Sequence, residues 1–322
     1  MEIRPLRGTE LKTSRLALGT MTFGSQVDQA EATTMVQRCL DAGINHFDTA
    51  NVYNGGAAEE ILGKALGARR ADVILATKIR MPMGAAADEQ GLSAPAIHTA
   101  IEASLRRLGT DHVDLYYLHQ PDWSVPIAET LGAMAELVTA GKVRCIAISN
   151  YAAWQIAQIR NKGADQGWPP VHVSQVMYNL IARHLDEEYA AFSRGYDMSN
   201  VVYNPLAGGL LTGKHRRETE PAAGTRFTTQ HYRQRYWNDR QFAAVDQLTE
   251  VAAANGLSLI ELSYRWLLSQ DIVDAVLVGA SSVAQLDTNL AAAAGPALDT
   301  AVQQQCDEAW QWLRGPIPKY NR

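Results

Sequence analysis

Val113-Asp114-Leu115-Tyr116-Tyr117-Leu118-His119 and Val143-Arg144-Cys145-Ile146-Ala147-Ile148-Ser149 are two short apolar runs rich in β-branched and aromatic residues. Between them lies an amphipathic stretch, 127–139, that closes at Gly141. Each run has the length of a strand, and neither alternates strictly between polar and apolar residues. That is the pattern of a strand covered on both faces. Two such strands with a helix between them make a parallel β–α–β unit.

The same unit repeats in both directions. Strands are predicted at 15–21, 45–50, 73–79, 113–119, 143–149, 171–177, 200–206 and 274–279. Helices are predicted at 28–42, 58–66, 93–108, 127–139 and 152–162, stopped by Gly43, Gly67, Gly109, Gly141 and Gly163. Ser93 and Pro95 mark one start. A shorter helix falls at 186–193, and 238–270 reads as two helices broken at Asn255-Gly256. Helices at 283–294 and 300–313 follow. Eight strands, each followed by a helix, predict an α/β fold, the (β/α)8 barrel. Its additions are an N-terminal cap before Arg15, a long loop after strand seven and an extra C-terminal helix. A doubly wound open sheet is the alternative. The count of eight favours the barrel, and with no Pro/Gly/Ser linker one domain is expected over 1–322.

Composition is ordinary for a globular chain, at 47% hydrophobic and 20% charged residues. A net charge of -5 argues against a nucleic-acid partner, which needs a clustered basic surface. No apolar run has the roughly 18 residues that would suggest a membrane span. Met1-Glu2-Ile3-Arg4-Pro5-Leu6-Arg7 lacks the apolar core of a signal peptide. Cys39, Cys145 and Cys306 are scattered, without metal-like spacing. A cytoplasmic protein with neither membrane nor metal is the expectation.

Chemistry in such a barrel sits at the C-terminal ends of the strands. There this chain places Asp48-Thr49-Ala50-Asn51-Val52-Tyr53, Thr77-Lys78, His119-Gln120-Pro121-Asp122, Ser149-Asn150, Gln175 and Tyr203-Asn204-Pro205-Leu206. Asp48, Tyr53, Lys78 and His119 can meet in one site. A free tyrosine titrates near pH 10, and a neighbouring ammonium favours its phenolate. A carboxylate would hold that ammonium charged, and a histidine would hydrogen-bond a carbonyl oxygen or share the proton transfer. Such a set protonates an oxygen. Taken singly, each residue reads more simply as a turn cap, a surface lysine, a core histidine or a loop aromatic; four together favour a site.

Other motifs are weaker. Gly208-Gly209-Leu210-Leu211-Thr212-Gly213-Lys214 begins like a phosphate-binding loop, but His215 stands where a magnesium-binding Ser or Thr belongs. The stretch still offers backbone amides and a lysine to a phosphate. No G-x-G-x-x-G follows a strand and no G-x-S-x-G occurs.

The ordered series of motifs resembles the aldo-keto reductase superfamily. The most specific piece is Gly43-Ile44-Asn45-His46-Phe47-Asp48-Thr49-Ala50, followed by Tyr53 and Glu59-Glu60-Ile61-Leu62-Gly63. Ser104-Leu105-Arg106-Arg107-Leu108-Gly109-Thr110-Asp111, the run ending at His119, Ile148-Ser149-Asn150 and Tyr203-Asn204-Pro205-Leu206 continue it. The resemblance implies a barrel that reduces a small carbonyl substrate with NADPH, with NADH possible. It implies Asp48, Tyr53, Lys78 and His119 as the catalytic tetrad, Tyr53 being the general acid. It also implies that Ser149, Asn150 and Gln175 bind the nicotinamide carboxamide and that Tyr203 stacks on the ring. Asn204 is implied as a cofactor contact; Pro205, Leu206, Gly208 and Lys214 would line the pyrophosphate. Gly279, Ser281, Gln285 and Asn289 would hold the adenosine end. The last segment lacks the Lys-Ser and later Arg of mammalian-type members, so the chain is closer to bacterial reductases and potassium-channel β subunits. That likeness implies that Lys214 and Arg226 take over the 2′-phosphate.

The alternative is an NADPH-binding, redox-sensing regulatory subunit with little turnover. A glycosidase finds little support, since Asp122 has no carboxylate partner at suitable spacing. Substrate choice is expected to lie in 80–92, 120–125, 215–238 and the C-terminal tail. Trp123, Tyr232, Tyr236 and Trp237 either wall an apolar pocket or pack within their loops.

Overall fold

A computed structural model describes residues 1–318; residues 319–322 of the C-terminal tail lie outside the described part. The chain opens with a hairpin of β1 (Ile3–Pro5) and β2 (Lys12–Ser14). The repeating units follow: β3 (Leu16–Gly19), α1 (Gln29–Asp41), β4 (His46–Asp48), α2 (Ala57–Leu66), β5 (Ile74–Ile79), α3 (Ala94–Leu108) and β6 (Val113–Leu118). Next come α4 (Ile127–Thr139), β7 (Val143–Ser149), α5 (Ala153–Gln166), β8 (Val173–Met177), α6 (Tyr189–Gly195) and β9 (Ser199–Tyr203). The rest is α7 (Gln230–Tyr236), α8 (Asp239–Ala254), α9 (Leu259–Ser269), β10 (Ala275–Gly279), α10 (Val283–Ala293) and α11 (Thr300–Arg314).

Strands β3 to β10 close into a parallel barrel in chain order, with β10 pairing β3. The expected (β/α)8 architecture is therefore the observed one, including the C-terminal helix, which packs on α8. Helix starts follow the capping residues: the Asp28 carboxylate accepts from the Glu31 N–H at 2.9 Å, and Ser258 forms a capping box with Glu261.

Three details differ from the sequence reading. The N-terminal cap contains a hairpin. Helix α5 runs through Gly163 and ends at Gly167, whose φ of 67° suits a glycine. The long loop after the seventh barrel strand holds the short helix α7.

The alternation of strand side chains sorts the core into two parts. Ala17, Ile74, Ala76, Leu115, Tyr117, Ala147, Val173, Val201, Ala275 and Leu277 fill the barrel with Leu6 and Leu11. Leu18, Phe47, Leu75, Tyr116 and Leu118 face outward to the helices. Leu6, fully buried, and Leu11 come from the hairpin connection, so the hairpin plugs the barrel floor. Among the described residues no helix is long and apolar enough to cross a membrane.

Candidate active site

Period-two alternation builds the upper layer of the barrel. Ile74 and Ala76 face inward, so Lys78 does too; Leu115 and Tyr117 face inward, so His119, just past β6, follows. Asp48 ends β4 and pairs in register with Ala76. Lys78 is fully buried and Asp48 is 2% exposed.

The Lys78 ammonium donates a short hydrogen bond to Asp48 and a second to the Thr49 carbonyl at 2.8 Å. The other Asp48 oxygen accepts from the Gln175 amide at 2.8 Å. Tyr53 sits in the turn after β4, where its N–H donates to the Ala50 carbonyl at 3.1 Å. The next residue, Asn54, has a φ of 50° and donates to the carbonyls of Met21 (3.0 Å) and Phe23 (2.6 Å). Those bonds fix the turn and with it the phenol. The Tyr53 ring lies 5.3 Å from the Lys78 ammonium and 6.0 Å, edge-on, from the His119 ring. The structure thus brings the four expected residues together.

Burial pushes the Tyr53 phenol above the ordinary tyrosine range, against the opposing pull of Lys78 and Arg226; Asp48 reinforces the rise. The sequence reading foresaw the influence of the lysine but not that burial outweighs it. Burial also works against the Lys78 charge, yet Asp48 and Tyr53 more than offset it and raise the ammonium above its usual value. His119 is pushed down to about 3 by burial, Lys78 and Arg80. Its imidazole is neutral near pH 7, which suits a hydrogen-bond donor rather than a charged acid.

The remaining expected residues line the rim from β7 round to α10. The Asn150 amide donates to the His119 carbonyl at 2.9 Å and to the Ser149 hydroxyl at 3.0 Å. The Tyr203 hydroxyl donates to Asn150 at 2.7 Å. Asn204, at a φ of 65°, accepts from the Gly208 N–H at 2.7 Å and donates to the Tyr236 hydroxyl at 2.8 Å. Its side chain therefore shapes the loop that carries Pro205, Leu206 and Gly208. Gly208 has a φ of 69°, and a Cβ there would come within 2.7 Å of the Tyr232 ring. Gln285 accepts from the Ser281 N–H and hydroxyl, and the Asn289 amide donates to the Gly279 carbonyl at 3.2 Å.

Lys214 stands beside Gly209, its Cε 3.9 Å from where a Cβ would lie. Arg226 donates to the Tyr232 hydroxyl at 3.1 Å, and its guanidinium lies 5.4 Å from that ring. It also meets the Met21 sulfur at 3.3 Å, which sets it on the Tyr53 side of the mouth. Tyr236 and Trp237 do not wall a pocket. Tyr236 is buried against Asn179 and Asn204, and Trp237 packs on His215, Phe227 and Phe242. Trp123 is 77% exposed and stacks on Trp154.

Two further polar residues stand at this mouth: Arg80, which opens the expected substrate loop 80–92 without being singled out there, and Tyr151, which the sequence reading did not name. Arg80 follows β5 with a φ of 135°, and Tyr151 follows Asn150. Arg80 Nε, the Tyr151 hydroxyl and His119 Nδ1 are each buried without a hydrogen-bond partner. The readable signal for Arg80 was its spacing of two from Lys78; Tyr151 offered none. Among the described residues no cluster of metal-ligating side chains occurs.

Comparison with known proteins agrees with this geometry. The pattern of the Aldo/keto reductase family matches residues 15–311. Aflatoxin B1 aldehyde reductase member 2 of Rattus norvegicus is 34% identical, the match spanning 99% of this chain and 90% of that protein. Human aldo-keto reductase family 7 member A3 is 35% identical over 95% of this chain and 96% of its own length. A probable voltage-gated potassium channel subunit beta of Oryza sativa subsp. japonica is 35% identical, covering 91% of each chain.

Proposed function

Because the chain belongs to the aldo/keto reductase family, we propose that this oxidoreductase reduces aldehydes or ketones to alcohols with NADPH, Tyr53 acting as the general acid. The observation that carries the reading is the buried Asp48–Lys78 pair set against Tyr53 and His119 at the barrel mouth. When bound, the cofactor supplies the hydride that the carbonyl carbon receives.

The chain's own residues manage the oxygen. Tyr53 donates its phenolic proton as negative charge develops there. Its raised pKa keeps that proton in place until it is needed. Lys78 stabilises the phenolate left behind, and Asp48 with the Thr49 carbonyl holds the ammonium in position. Neutral His119 donates a hydrogen bond that orients the carbonyl.

The rim fits the cofactor: Gly208 gives a side-chain-free backbone turn, and nothing lies within 4 Å of a Cβ built at Gly279. Ser149, Asn150 and Gln175 would hold the carboxamide, and Tyr203 the nicotinamide ring. Asn204, Pro205, Leu206, Gly208 and Lys214 would take the diphosphate, Gly279, Ser281, Gln285 and Asn289 the adenosine end, and Arg226 the 2′-phosphate.

The similarity to potassium-channel β subunits favours a second reading, a redox-sensing subunit with little turnover. Absorbance of NADPH and NADH against a panel of aldehydes and ketones separates the two. Many turnovers per protein with any carbonyl support the enzyme. Tight cofactor binding with no more than one turnover supports the regulatory subunit, and no binding of either cofactor overturns both.

A further inference from the structure

A cavity of about 220 Å³ lies behind β5, between the outer face of that strand, the segment 81–90 and α3. One water needs only about 10–15 Å³ of such space, so there is room for a small organic molecule. Strand alternation sets this cavity apart from the tetrad. Lys78 faces into the barrel, whereas its neighbour Ile79 packs outward and lines the cavity.

Both walls are built to leave the space open. On the α3 side the lining positions Ala96, Ala100 and Ala103 all carry alanine. Opposite them the segment 81–90 forms an arch tied by its own hydrogen bonds. The Met83 N–H donates to the Glu89 carbonyl at 2.9 Å, and the Ala86 N–H to the Glu89 carboxylate at 3.0 Å. That carboxylate folds back over Gly84, where any Cβ would collide with it. The Thr99 hydroxyl of α3 donates to Asp88 at 3.3 Å and fastens the arch to the helix.

The chemistry of the lining is uneven. Met81, Met83, Ile79 and the three alanines give apolar walls. Asp88 and Glu89 stand exposed at the rim, and the donors they meet there are neutral. Among the described residues neither has a cation within 4.0 Å. The one cation that lines the cavity, Arg107, is already answered: its Nε donates to the fully buried Glu59 at 2.7 Å. With that pair neutral, the lining keeps two uncompensated negative charges. At the inner end stands Asn51, 2% exposed, held by its N–H to the Lys78 carbonyl at 3.2 Å. Its side-chain Oδ1 is buried and accepts no hydrogen bond from the chain. An unpaired buried acceptor is costly, so this oxygen calls for a donor.

We propose that this cavity is a second binding site, for a small organic cation. An ammonium or amidinium would pair with Asp88 and Glu89 at the rim, and an apolar body would lie against the methionines and alanines. A hydrogen-bond donor at the far end would reach Asn51 Oδ1. The site leaves the barrel mouth free, and the inference stands apart from the carbonyl-reductase reading.

The probe is tyramine, which carries an ammonium, a ring and a phenolic donor. Calorimetric titration of the full chain, with and without saturating NADPH, compares it with tyrosol, which lacks the charge, and with 2-phenylethylamine, which lacks the donor. Tyramine is expected to bind once per chain, with the same affinity whether or not NADPH is present. Tyrosol should bind about ten- to hundredfold more weakly, the scale of a charge-assisted hydrogen bond, and 2-phenylethylamine about tenfold more weakly. The double variant Asp88→Asn/Glu89→Gln should bring tyramine down to the level of tyrosol. Ala100→Phe fills the cavity and should abolish binding. Asn51→Ala should erase the advantage of tyramine over 2-phenylethylamine; if that variant does not fold, the two amines on wild type still test the inner acceptor. No binding of tyramine to wild type overturns the site, and so does tyrosol binding as tightly as tyramine. Binding that survives in Ala100→Phe, or that NADPH displaces, places tyramine elsewhere and overturns it too.

Discussion

Replacing Lys78 by methionine separates the structural from the chemical duty of the buried ion pair. The volume is nearly kept, but Asp48, 2% exposed, loses its cation. Its carboxylate retains only the Gln175 amide at 2.8 Å as a side-chain donor. Breaking a buried pair on one side costs about 3–5 kcal/mol, because a charge is left without compensation. For a chain of this size that is a fall in Tm on the order of 10 °C. Turnover should fall at least about a hundredfold, since the phenol loses the ammonium that stabilises its conjugate base. The double variant Asp48→Asn/Lys78→Met removes the stranded charge, so its stability should recover while its activity does not. Melts followed by circular dichroism, with NADPH consumption on the same samples, give both readouts. A Lys78→Met protein that melts with wild type, or a double variant no more stable than the single one, would refute the reasoning.

Tyr53→Phe should lower kcat by at least about a hundredfold and leave NADPH affinity near wild type; unchanged turnover would remove Tyr53 as the acid. Arg226→Ala should weaken NADPH by about ten- to hundredfold and spare NADH, as fluorescence titration would show; equal losses for both cofactors would contradict a 2′-phosphate role. His46, buried under the site with its Nδ1 3.0 Å from the Thr13 hydroxyl, is pushed down to about 4 by burial. The unfolded chain therefore binds the extra proton first, and stability falls as pH drops below about 6.5. By pH 5 the loss is about 2 kcal/mol from this residue. His119, pushed down to about 3, adds a loss of its own, so urea titrations between pH 7 and 5 compare wild type with His46→Gln; the same pH dependence in both would contradict a depressed His46 in the folded chain.

The barrel was legible because buried parallel strands are continuous apolar runs, as at Val143–Ser149, where reading and structure share both ends. The N-terminal hairpin was not. Its strands are three residues long and one ends at Pro5, so no pattern can build up. Gly163 looked like a helix stop, but the helix is held by its buried Ile156 and Ile159 and absorbs the glycine. Helix α7 reads Gln-His-Tyr-Arg-Gln-Arg-Tyr, with too few apolar residues to show a period. Asp48, Lys78 and His119 were legible because strand ends are where a barrel puts its polar groups. Arg80 was not, since its unusual φ and unpaired guanidinium arise only when β5 and β6 bring their ends together. Tyr236 could be assigned only from its tertiary partners: a tyrosine in a loop looks the same whether it bonds Asn204 or a ligand.

The distribution of strain along the barrel axis has a consequence of its own. Among the described residues, six other than glycine have positive φ, and five of these (Asn54, Arg80, Asn150, Asn204 and Ala207) follow the C-terminal ends of strands. The sixth, Asp197, lies before β9, at the opposite end. Positive-φ backbone outside glycine is therefore gathered at the mouth, while Leu6 and Leu11 close the floor. The cost of the site is met by layers that take no part in it. This division lets the rim loops present unpaired groups such as Arg80 without loosening the barrel that holds Lys78 and Asp48 in register.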